Sequence, residues 1–524
     1  MAACAAAIPN VLSSSSSSKN CRQLSVCSYL GHKDTRTHCE LLSLFSLSFS
    51  APNIPLIFFF FFFFFFFVIV DPKTTDDILS TLPPIRIPSS RNSSSPTALL
   101  LLLTPSFAPW LDASRHFVER LVNKLSPNPS CFLQVVTAIV DRLPQLEQED
   151  EGISFLLSPH VTVRGKAAES RQWRRRSSIG VQESVLALSI QTATTNHAIG
   201  LRLANTTFIN GKEHTLLGTC WPAAAGTTER IVDLTKCLVR LATVGSVHGT
   251  GRFPLYPVSR SRKVISCMGN ILRQLSADED GTIMPASFEL ESELPRYISA
   301  HDIDDQRVSV WALLETRGGG AATPEPSNAN ESDNNVRISE SLRSGGKLLR
   351  VMSGGGGWGK KQGLLSLDPE TDFLSSDHDA DSHPLLELND LVCGGIDKHP
   401  SFESDDDDQL PSLSNLVEPG DYVQFFVSVE PADHEFSVKE DGDAASFCFG
   451  VLSDKKEEEE EEEKVVNAMD QDMYQKKDLI ALPRHFGALS EKAITYSSQS
   501  VATGTTSSTK IDVPGSRVKL AIRI

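Results

Sequence analysis

The sequence predicts an α+β protein in which an N-terminal helical hairpin is followed by a mostly antiparallel sheet with long disordered acidic insertions. Apolar residues recur at helical spacing over residues 112–143, β-branched runs follow from residue 161, and the C-terminus alternates apolar and polar residues. With 524 residues, 40% of them hydrophobic, the chain can build a core, which excludes a fully disordered protein. Its length excludes a small disulfide scaffold, and its single long apolar run excludes a polytopic membrane protein.

Composition divides the chain into segments. Residues 367–415 and 454–477 are strongly acidic, so we expect disordered insertions there. The predicted organisation is a low-complexity segment at 1–110, the first part of the domain at 111–317, a linker at 318–345 and the second part at 346–524. A C-terminal strand that pairs with distant sequence would join both parts into one body.

Runs of Ser, Phe and Leu dominate residues 1–110. Leu56–Val70 is apolar throughout, yet as a helix it would rise only about 22 Å, less than the ~30 Å hydrocarbon core of a membrane. Three interpretations stay open. The segment is a single-pass membrane anchor, or residues 1–40, rich in Ser and poor in acidic residues, target the protein to an organelle. In the third, the stretch is absent from the mature protein, because pyrimidine-rich non-coding sequence translated by mistake yields such runs.

Two helices are predicted after residue 110. Over Asp112–Leu125, Phe117, Leu121 and Leu125 lie on one helical face. A second helix is predicted from Ser130, a suitable N-cap residue, to residue 143, where the following proline ends it. The Pro-containing segment between them makes the pair a helical hairpin.

Short β-type runs follow the hairpin. Val185–Thr194 and Ile199–Ala204 are rich in β-branched residues, which favours strands. Within Thr206–Leu217, the Asn210-Gly211 dipeptide between strand-like runs predicts a β-hairpin. Leucines at helical spacing predict a helix over Ile231–Val244.

Three further elements are predicted towards the C-terminus. Val308–Leu314 is either a buried strand or a short helix, since its length suits both. Asp421–Val429 is a predicted strand, and Val518–Ile524 alternates apolar and polar residues as a half-buried strand does.

A glycine-rich loop is the candidate phosphate- or nucleotide-binding site. It matches G-x-x-x-x-G-K, and consecutive glycines leave backbone N–H groups free to converge on an anion. Lys361, however, stands where a phosphate loop needs Ser or Thr to hold magnesium. A flexible hinge and a closely packed turn remain the alternatives. The candidate residues are Gly354, Gly355, Gly356, Gly357, Gly359, Lys360 and Lys361.

One basic patch, Arg171–Arg176, contains Trp173. Arginines beside an aromatic ring suit nucleic acid, and the same letters fit a kinase substrate at Ser177 or Ser178 or a solvated loop. The formal net charge of −17, concentrated after residue 180, disfavours broad electrostatic binding to nucleic acid. A local patch could still bind.

The ten cysteines include no C-x-x-C pair, which indicates reduced, mostly buried thiols. No metal site is predicted, and no cofactor is indicated. The sequence also lacks convincing motifs of the common hydrolases, kinases and dehydrogenases, which favours a non-enzyme without deciding the question.

The predicted function is therefore binding, to an unidentified protein partner, in an intracellular protein of an organelle, the mitochondrion being the expected one. Two alternatives differ in class. One is a phosphate- or nucleotide-using enzyme that uses the loop Gly354–Lys361, and the other is a single-pass membrane-anchored protein held by Leu56–Val70.

Overall fold

A computed structural model describes residues 63–68, 79–80, 97–111, 116–125, 133–144, 149–159, 161–168, 183–221, 231–277, 282–300, 308–316, 331–354, 363–373, 385–393, 416–428, 444–453, 480–502 and 504–523. All of them belong to the unit Phe60–Ile524. Strands make up 54% of the interpretable region and helices 19%, with a closed barrel among several sheets. The protein is therefore mostly β, and the predicted α+β class is wrong.

Six helices occur in the described part of the chain, one of them a 3-10 helix. They are the 3-10 helix Pro105–Leu111, α1 (Phe117–Leu125), α2 (Thr207–Asn210), α3 (Ala286–Ala300), α4 (Glu331–Arg343) and α5 (Leu388–Cys393). Helix α4 lies within residues 318–345, where the composition predicts a linker.

The strands, in chain order, are β1 (Phe63–Val68), β2 (Thr97–Leu103), β3 (Leu133–Ile139), β4 (Leu143–Pro144), β5 (Glu149–Asp150), β6 (Gly152–Pro159), β7 (Val161–Ala167), β8 (Val185–Gln191), β9 (Thr195–Arg202), β10 (Leu216–Trp221), β11 (Val232–Ala242), β12 (Val247–Arg252), β13 (Tyr256–Pro257), β14 (Arg262–Met268), β15 (Ile271–Ser276), β16 (Ile283–Pro285), β17 (Val310–Glu315), β18 (Lys347–Gly354), β19 (Leu365–Leu367), β20 (Leu386–Glu387), β21 (Tyr422–Val427), β22 (Ala444–Val451), β23 (Ile480–Pro483), β24 (His485–Ser490), β25 (Ile494–Ser500), β26 (Thr506–Ile511) and β27 (Arg517–Arg523).

Three larger sheets organise these strands. The largest runs β23-β1-β6-β2-β3-β10-β11-β8-β9-β25-β26, with β7 pairing β11 and β20 pairing β7. A four-stranded sheet has the order β12-β27-β22-β24. In the third, β21, β14, β15, β19, β18 and β17 pair in turn, and β17 pairs back to β21, which closes a six-stranded antiparallel barrel.

The predicted helical hairpin is wrong, because its second helix is the strand β3. Helix α1 is present, and together with the 3-10 helix it forms the crossover between β2 and its parallel neighbour β3. Every residue of β3 is buried. A strand covered on both faces has a continuous apolar run, which periodicity alone cannot distinguish from a buried helix.

Strand β2 shows the same burial on both faces. Leu99 and Leu101 belong to the hydrophobic cluster that includes the 3-10 helix and α1, whereas Leu100 and Leu102 belong to the larger central core. The run of leucines therefore supplies two cores at once. Within that first cluster, Trp110 lies edge-on to its aromatic neighbours at a ring distance of 5.0 Å.

Part of the phenylalanine run also forms a strand. Phe63–Val68 pairs antiparallel with β6 on one side and with β23 on the other. None of the helices in the described ranges is both long enough and apolar enough to cross a membrane.

The hairpin predicted around Asn210-Gly211 is wrong, because the residues before the turn form the one-turn helix α2. Asn205 Oδ1 accepts a 2.9 Å hydrogen bond from the backbone N–H of Thr207, and Asn210 Oδ1 accepts one of 3.0 Å from Lys212. Gly211 ends the turn with φ of 73°, a conformation that favours glycine. Side-chain hydrogen bonds therefore favour a helical turn here over a strand ladder.

The helix predicted over Ile231–Val244 is wrong as well, because this segment contains strand β11. Its register against β7 shifts between Leu234 and Lys236. This bulge puts Leu234 and Leu241, seven positions apart, in the same core, a spacing that otherwise indicates a helix.

Three other expectations are resolved. The alternatives for Val308–Leu314 resolve to the strand β17, and the strand predicted at Asp421–Val429 is confirmed as β21. The C-terminal strand is confirmed as β27, which pairs with both β12 and β22 and so connects distant parts of the chain.

The barrel packs one wall against the central core. On β17, Ala312 and Leu314 belong to the barrel interior, whereas Trp311 and Leu313 belong to the central core outside it. Leu290 of α3 also belongs to the interior cluster. The alternation of a strand thus distributes its side chains between two cores.

Candidate anion-binding surface

The four-stranded sheet differs in charge from the rest of the chain. Strands β12, β22, β24 and β27 contain no acidic residue, although the protein carries a net charge of −17. Strands β12 and β27 contribute the basic residues Arg252, Arg517, Lys519 and Arg523. The two edge strands each carry a histidine near their start. His485 is the first residue of β24, and His248 is the second residue of β12.

Alternation separates the two faces of this sheet. Val518, Leu520 and Ile522 of β27 are buried in the central core. Arg517 and Lys519, at the intervening positions, therefore lie on the opposite, outer face. Cross-strand partners share a face, so Thr250 and Arg252 of β12 lie on that outer face too. We call Thr250, Arg252, Arg517 and Lys519 the cationic face.

The strand register places like charges together on the cationic face. Arg252 lies directly opposite Arg517, and Thr250 lies directly opposite Lys519. Directly opposed residues have Cβ atoms about 4.5–5.5 Å apart, and like charges at such positions destabilise a sheet. The register therefore gathers three cationic side chains on one face of neighbouring strands.

The neighbouring strand β22 presents small residues beside these cations. Gly450 lies opposite Arg517 and Cys448 lies opposite Lys519. A Cβ at Gly450 would lie 2.0 Å from the carbonyl oxygen of Ser516, so close strand packing excludes a larger residue there. Only small side chains of β22 therefore lie opposite the two cations.

Local contacts hold part of the cationic face in place. Arg517 Nη1 donates a 2.9 Å hydrogen bond to the carbonyl oxygen of Ser516 and another to that of Val451. Lys519 forms no ion pair with any residue in the described ranges. Burial raises the pKa of the Cys448 thiol, and the positive charges of Arg517 and Lys519 act in the opposite direction.

The structure places the predicted loop differently from a nucleotide-binding loop. Gly354 is the last residue of β18, and Gly355, Gly356, Gly357, Gly359, Lys360 and Lys361 lie outside the described residues. The chain returns in β19, an antiparallel neighbour of β18 in the barrel. A phosphate loop instead joins a strand to a helix. Whether this loop binds phosphate stays a prediction.

The other predicted site residues are not described either. Arg171–Arg176, Ser177 and Ser178 lie outside the described residues, as does most of Leu56–Val70. Sequence reasoning missed the cationic face because Arg252 is far from Arg517 and Lys519 in the chain. The only available signal was the alternation of basic and apolar residues in β27.

Among the described side chains, four cysteines are free thiols, as predicted. Cys220 and Cys237 are buried, and burial raises the pKa of Cys237 to about 12. A buried thiol with so high a pKa is unreactive at neutral pH.

Asp141 is a carboxyl group whose ionisation should oppose folding. Burial raises its pKa from 3.8 to about 6, against the effect of the 2.8 Å hydrogen bond that the backbone N–H of Glu491 donates to Oδ2. Because the folded pKa is the higher one, the penalty is absent below pH 3.8, grows as the pH rises to about 6 and is constant above.

We therefore expect Asp141→Asn, which keeps an acceptor for Glu491, to raise the free energy of unfolding at pH 7 by about 1–2 kcal/mol. The full pKa shift of Asp141 would correspond to a gain of about 3 kcal/mol. We expect a smaller gain because the side chain is only half-buried. Urea unfolding at pH 4 and pH 7 measures this, with the exposed Glu340→Gln as control. An equal gain in the free energy of unfolding at both pH values would contradict the ionisation penalty of Asp141.

Comparison with known proteins gives no match among protein-family models, curated proteins or solved structures. Function is therefore inferred from the chemistry of this chain's own residues, above all those of the cationic face.

Proposed function

We propose that this protein works by binding rather than by catalysis, and that the cationic face holds the phosphate groups of a single-stranded nucleic acid. The supporting observation is the register that sets Arg252 against Arg517 with Lys519 beside them. Three cationic side chains on one face create a positive local potential, which attracts a polyanion.

The residue types suit phosphate. A guanidinium group donates two parallel hydrogen bonds to phosphate oxygens, and a lysine ammonium supplies a compact positive charge. The exposed Thr250 adds a hydroxyl donor directly opposite Lys519. Successive outward residues of a strand are about 6.6–6.8 Å apart, so the cations line the sheet in a row along which a chain of phosphates can lie.

A single strand fits this surface better than a duplex. Duplex DNA carries one negative charge per ~1.7 Å of axis and would meet the acidic remainder of the protein over a wider area. Strand β22 presents only the small residues Cys448 and Gly450 beside Lys519 and Arg517. Contacts to phosphates carry no sequence information, so we expect binding that is largely independent of base sequence.

The proposal is tested by fluorescence anisotropy with labelled single-stranded oligo-dT and oligo-U of about 20 nucleotides. We expect the triple variant R252Q/R517Q/K519Q to bind at least about tenfold more weakly than wild type. Three phosphate contacts predict a slope of log K against log salt of about −2, which the variant should lose. Thermal unfolding should show that the variant is folded, with a loss of stability limited to the hydrogen bonds that Arg517 donates to the carbonyl oxygens of Ser516 and Val451.

The matched control is R240Q/K263Q/R273Q, which removes three exposed cations from strands β11, β14 and β15. We expect it to bind oligonucleotides as wild type does. Equal weakening by both triple variants would show a non-specific effect of net charge and would overturn the proposal. Binding of poly-L-glutamate without binding of oligonucleotide would instead favour an acidic protein as partner.

Four earlier expectations stay proposals beside this one. A protein partner and residence in an organelle, mitochondrial by expectation, follow from composition, and neither conflicts with the cationic face. The proposal of a phosphate- or nucleotide-using enzyme depends on the loop Gly354–Lys361, most of which lies outside the described ranges. A membrane anchor at Leu56–Val70 is the fourth.

A further inference from the structure

The one-turn helix α2 ends in an Asn-Gly dipeptide, Asn210-Gly211, which occurs once in the sequence. The turn faces water, since Phe208 is fully exposed and Ile209 and Asn210 are exposed as well. A glycine after asparagine lets the backbone nitrogen reach the side-chain carbonyl carbon, because no Cβ hinders the approach. We propose that Asn210 is a deamidation site at which the hydrogen bonds of the turn restrain the reaction, and that the product opens the turn. This inference does not depend on the proposed function.

The reaction needs only groups of the chain and water. The backbone nitrogen of Gly211 attacks Cγ of Asn210, a new N–C bond closes a five-membered succinimide ring, and the bond between Cγ and Nδ2 breaks. The side-chain nitrogen leaves as ammonia and takes with it the proton of the Gly211 N–H. Water then adds to one of the two ring carbonyl groups, and the ring opens to aspartate or to isoaspartate, in which the main chain runs through Cβ and Cγ. Nothing is oxidised or reduced.

In the folded turn, hydrogen bonds hold both reacting groups. Oδ1 of Asn210 accepts a 3.0 Å bond from the backbone N–H of Lys212, and the N–H of Gly211 donates a 3.1 Å bond to the carbonyl oxygen of Thr207. These bonds must break before Gly211 can attack, so the rate of deamidation depends on local opening of the turn. Opening costs least in elements with few buried contacts, and no residue of α2 is buried.

A relay of hydrogen bonds ties the side chain of Asn210 to the protein interior. Its Nδ2 donates a 2.9 Å bond to Oγ1 of the buried Thr215, which lies 2.9 Å from Oγ1 of the buried Thr206. Thr206 in turn donates a 2.8 Å bond to the carbonyl oxygen of Lys212. An amide nitrogen only donates and a carbonyl oxygen only accepts, so the Thr215 hydroxyl group must donate to Thr206. Every proton of this threonine relay therefore has one acceptor, in one direction.

Deamidation removes the donor at the start of the threonine relay. A carboxylate at position 210 only accepts, so Thr215 donates to it while Thr206 still donates to Lys212. No proton then lies between the two threonine oxygens, which face each other at 2.9 Å inside the protein. A buried oxygen that loses its hydrogen bond destabilises the folded state. Isoaspartate also lengthens the main chain of a four-residue helix, so the product opens the turn that holds Phe208.

Peptide mapping by mass spectrometry after incubation in mildly alkaline buffer tests the proposal. We expect aspartate and isoaspartate to accumulate at position 210, while Asn205 and Asn270, each followed by a β-branched residue, stay unmodified. Thr215→Val, which removes the acceptor of Nδ2, should deamidate at least about fivefold faster than wild type. Thr215→Ser keeps the hydroxyl group and should deamidate at the wild-type rate.

Thr509→Val is the control for a general loss of stability. Thr509 is 1% exposed, as is Thr215, and its hydroxyl oxygen accepts a 3.0 Å hydrogen bond from the backbone N–H of Leu348. We expect this variant to deamidate at position 210 as wild type does, because its loss lies in β26. Equal rates for Thr215→Val and Thr509→Val would overturn the proposal. So would a folded wild-type protein that stays unmodified while the urea-unfolded protein is fully deamidated.

Asn210→Asp reproduces one product and tests its effect on the turn. Hydrogen exchange of the α2 amides should be at least about fivefold faster than in wild type. In a Thr215→Val background the same change should have a smaller effect, because no second hydroxyl group then faces Thr206. If Thr215→Val fails to fold, Asn210→Asp alone decides the question, since unchanged exchange over Thr207–Asn210 would show that the turn accommodates the product.

Discussion

Lys510→Met should lower the free energy of unfolding by about 3 kcal/mol, because it leaves the mostly buried carboxylate of Asp368 without its counter-ion. Lys510 is only 8% exposed. Its ammonium group contacts Asp368, lies 3.0 Å from Glu370 Oε2 and lies 3.9 Å from Asp512 Oδ2. Burial lowers the pKa of Lys510, but its carboxylate partners outweigh that effect, so the residue stays charged in the folded protein.

This lysine belongs to a network that ties distant parts of the chain together. Glu370 also lies 2.7 Å from Arg202, and Arg202 lies 2.8 Å from Glu183. At the other end, Trp311 Nε1 in the barrel wall donates a 2.8 Å hydrogen bond to Asp512. Loss of Lys510 should therefore loosen the barrel from the largest sheet as well as destabilise its own strand.

Urea unfolding of Lys510→Met against wild type measures the effect. The control is Lys212→Met, which breaks the exposed 2.5 Å pair with Asp233 and should cost no more than about 1 kcal/mol. Adding Asp368→Asn to Lys510→Met should restore part of the stability by removing one unpaired charge. Similar losses for the Lys510 and Lys212 variants would contradict the argument.

Gly487→Ala should lower the free energy of unfolding by about 3 kcal/mol, through a clash that side-chain rotation cannot relieve. The added Cβ would lie 1.8 Å from the carbonyl oxygen of Cys448, a backbone atom of the parallel neighbour β22. Pro144 lies 3.1 Å from the same position and limits movement on that side. Strand β24 must therefore move away from β22.

Hydrogen exchange should show the loss of protection first along β24 and its pairing with β22. Gly504→Ala is the matched control, since its Cβ would meet nothing within 4 Å. Its φ of 67° still makes alanine unfavourable, so we expect a loss of about 1 kcal/mol there. A Gly487→Ala protein as stable as the Gly504→Ala protein would show that the sheet accommodates the methyl group.

The sequence alone was sufficient where a pattern has one structural solution. The C-terminal alternation of Val518, Leu520 and Ile522 predicts β27, because a strand with one buried face must alternate. The amphipathic spacing around Leu121 predicts α1 for the equivalent reason, although the helix begins later than expected, at Phe117. The absence of C-x-x-C pairs predicted free thiols, which the described cysteines confirm.

Only the tertiary structure decided the fold class and the candidate sites. Strand β3 is buried on both faces and β11 carries a bulge, so the spacing of their apolar residues resembles that of helices. The cationic face depends on the register that sets Arg252 opposite Arg517. Such contacts between residues distant in the chain follow from strand pairing and helix packing, which local patterns do not specify.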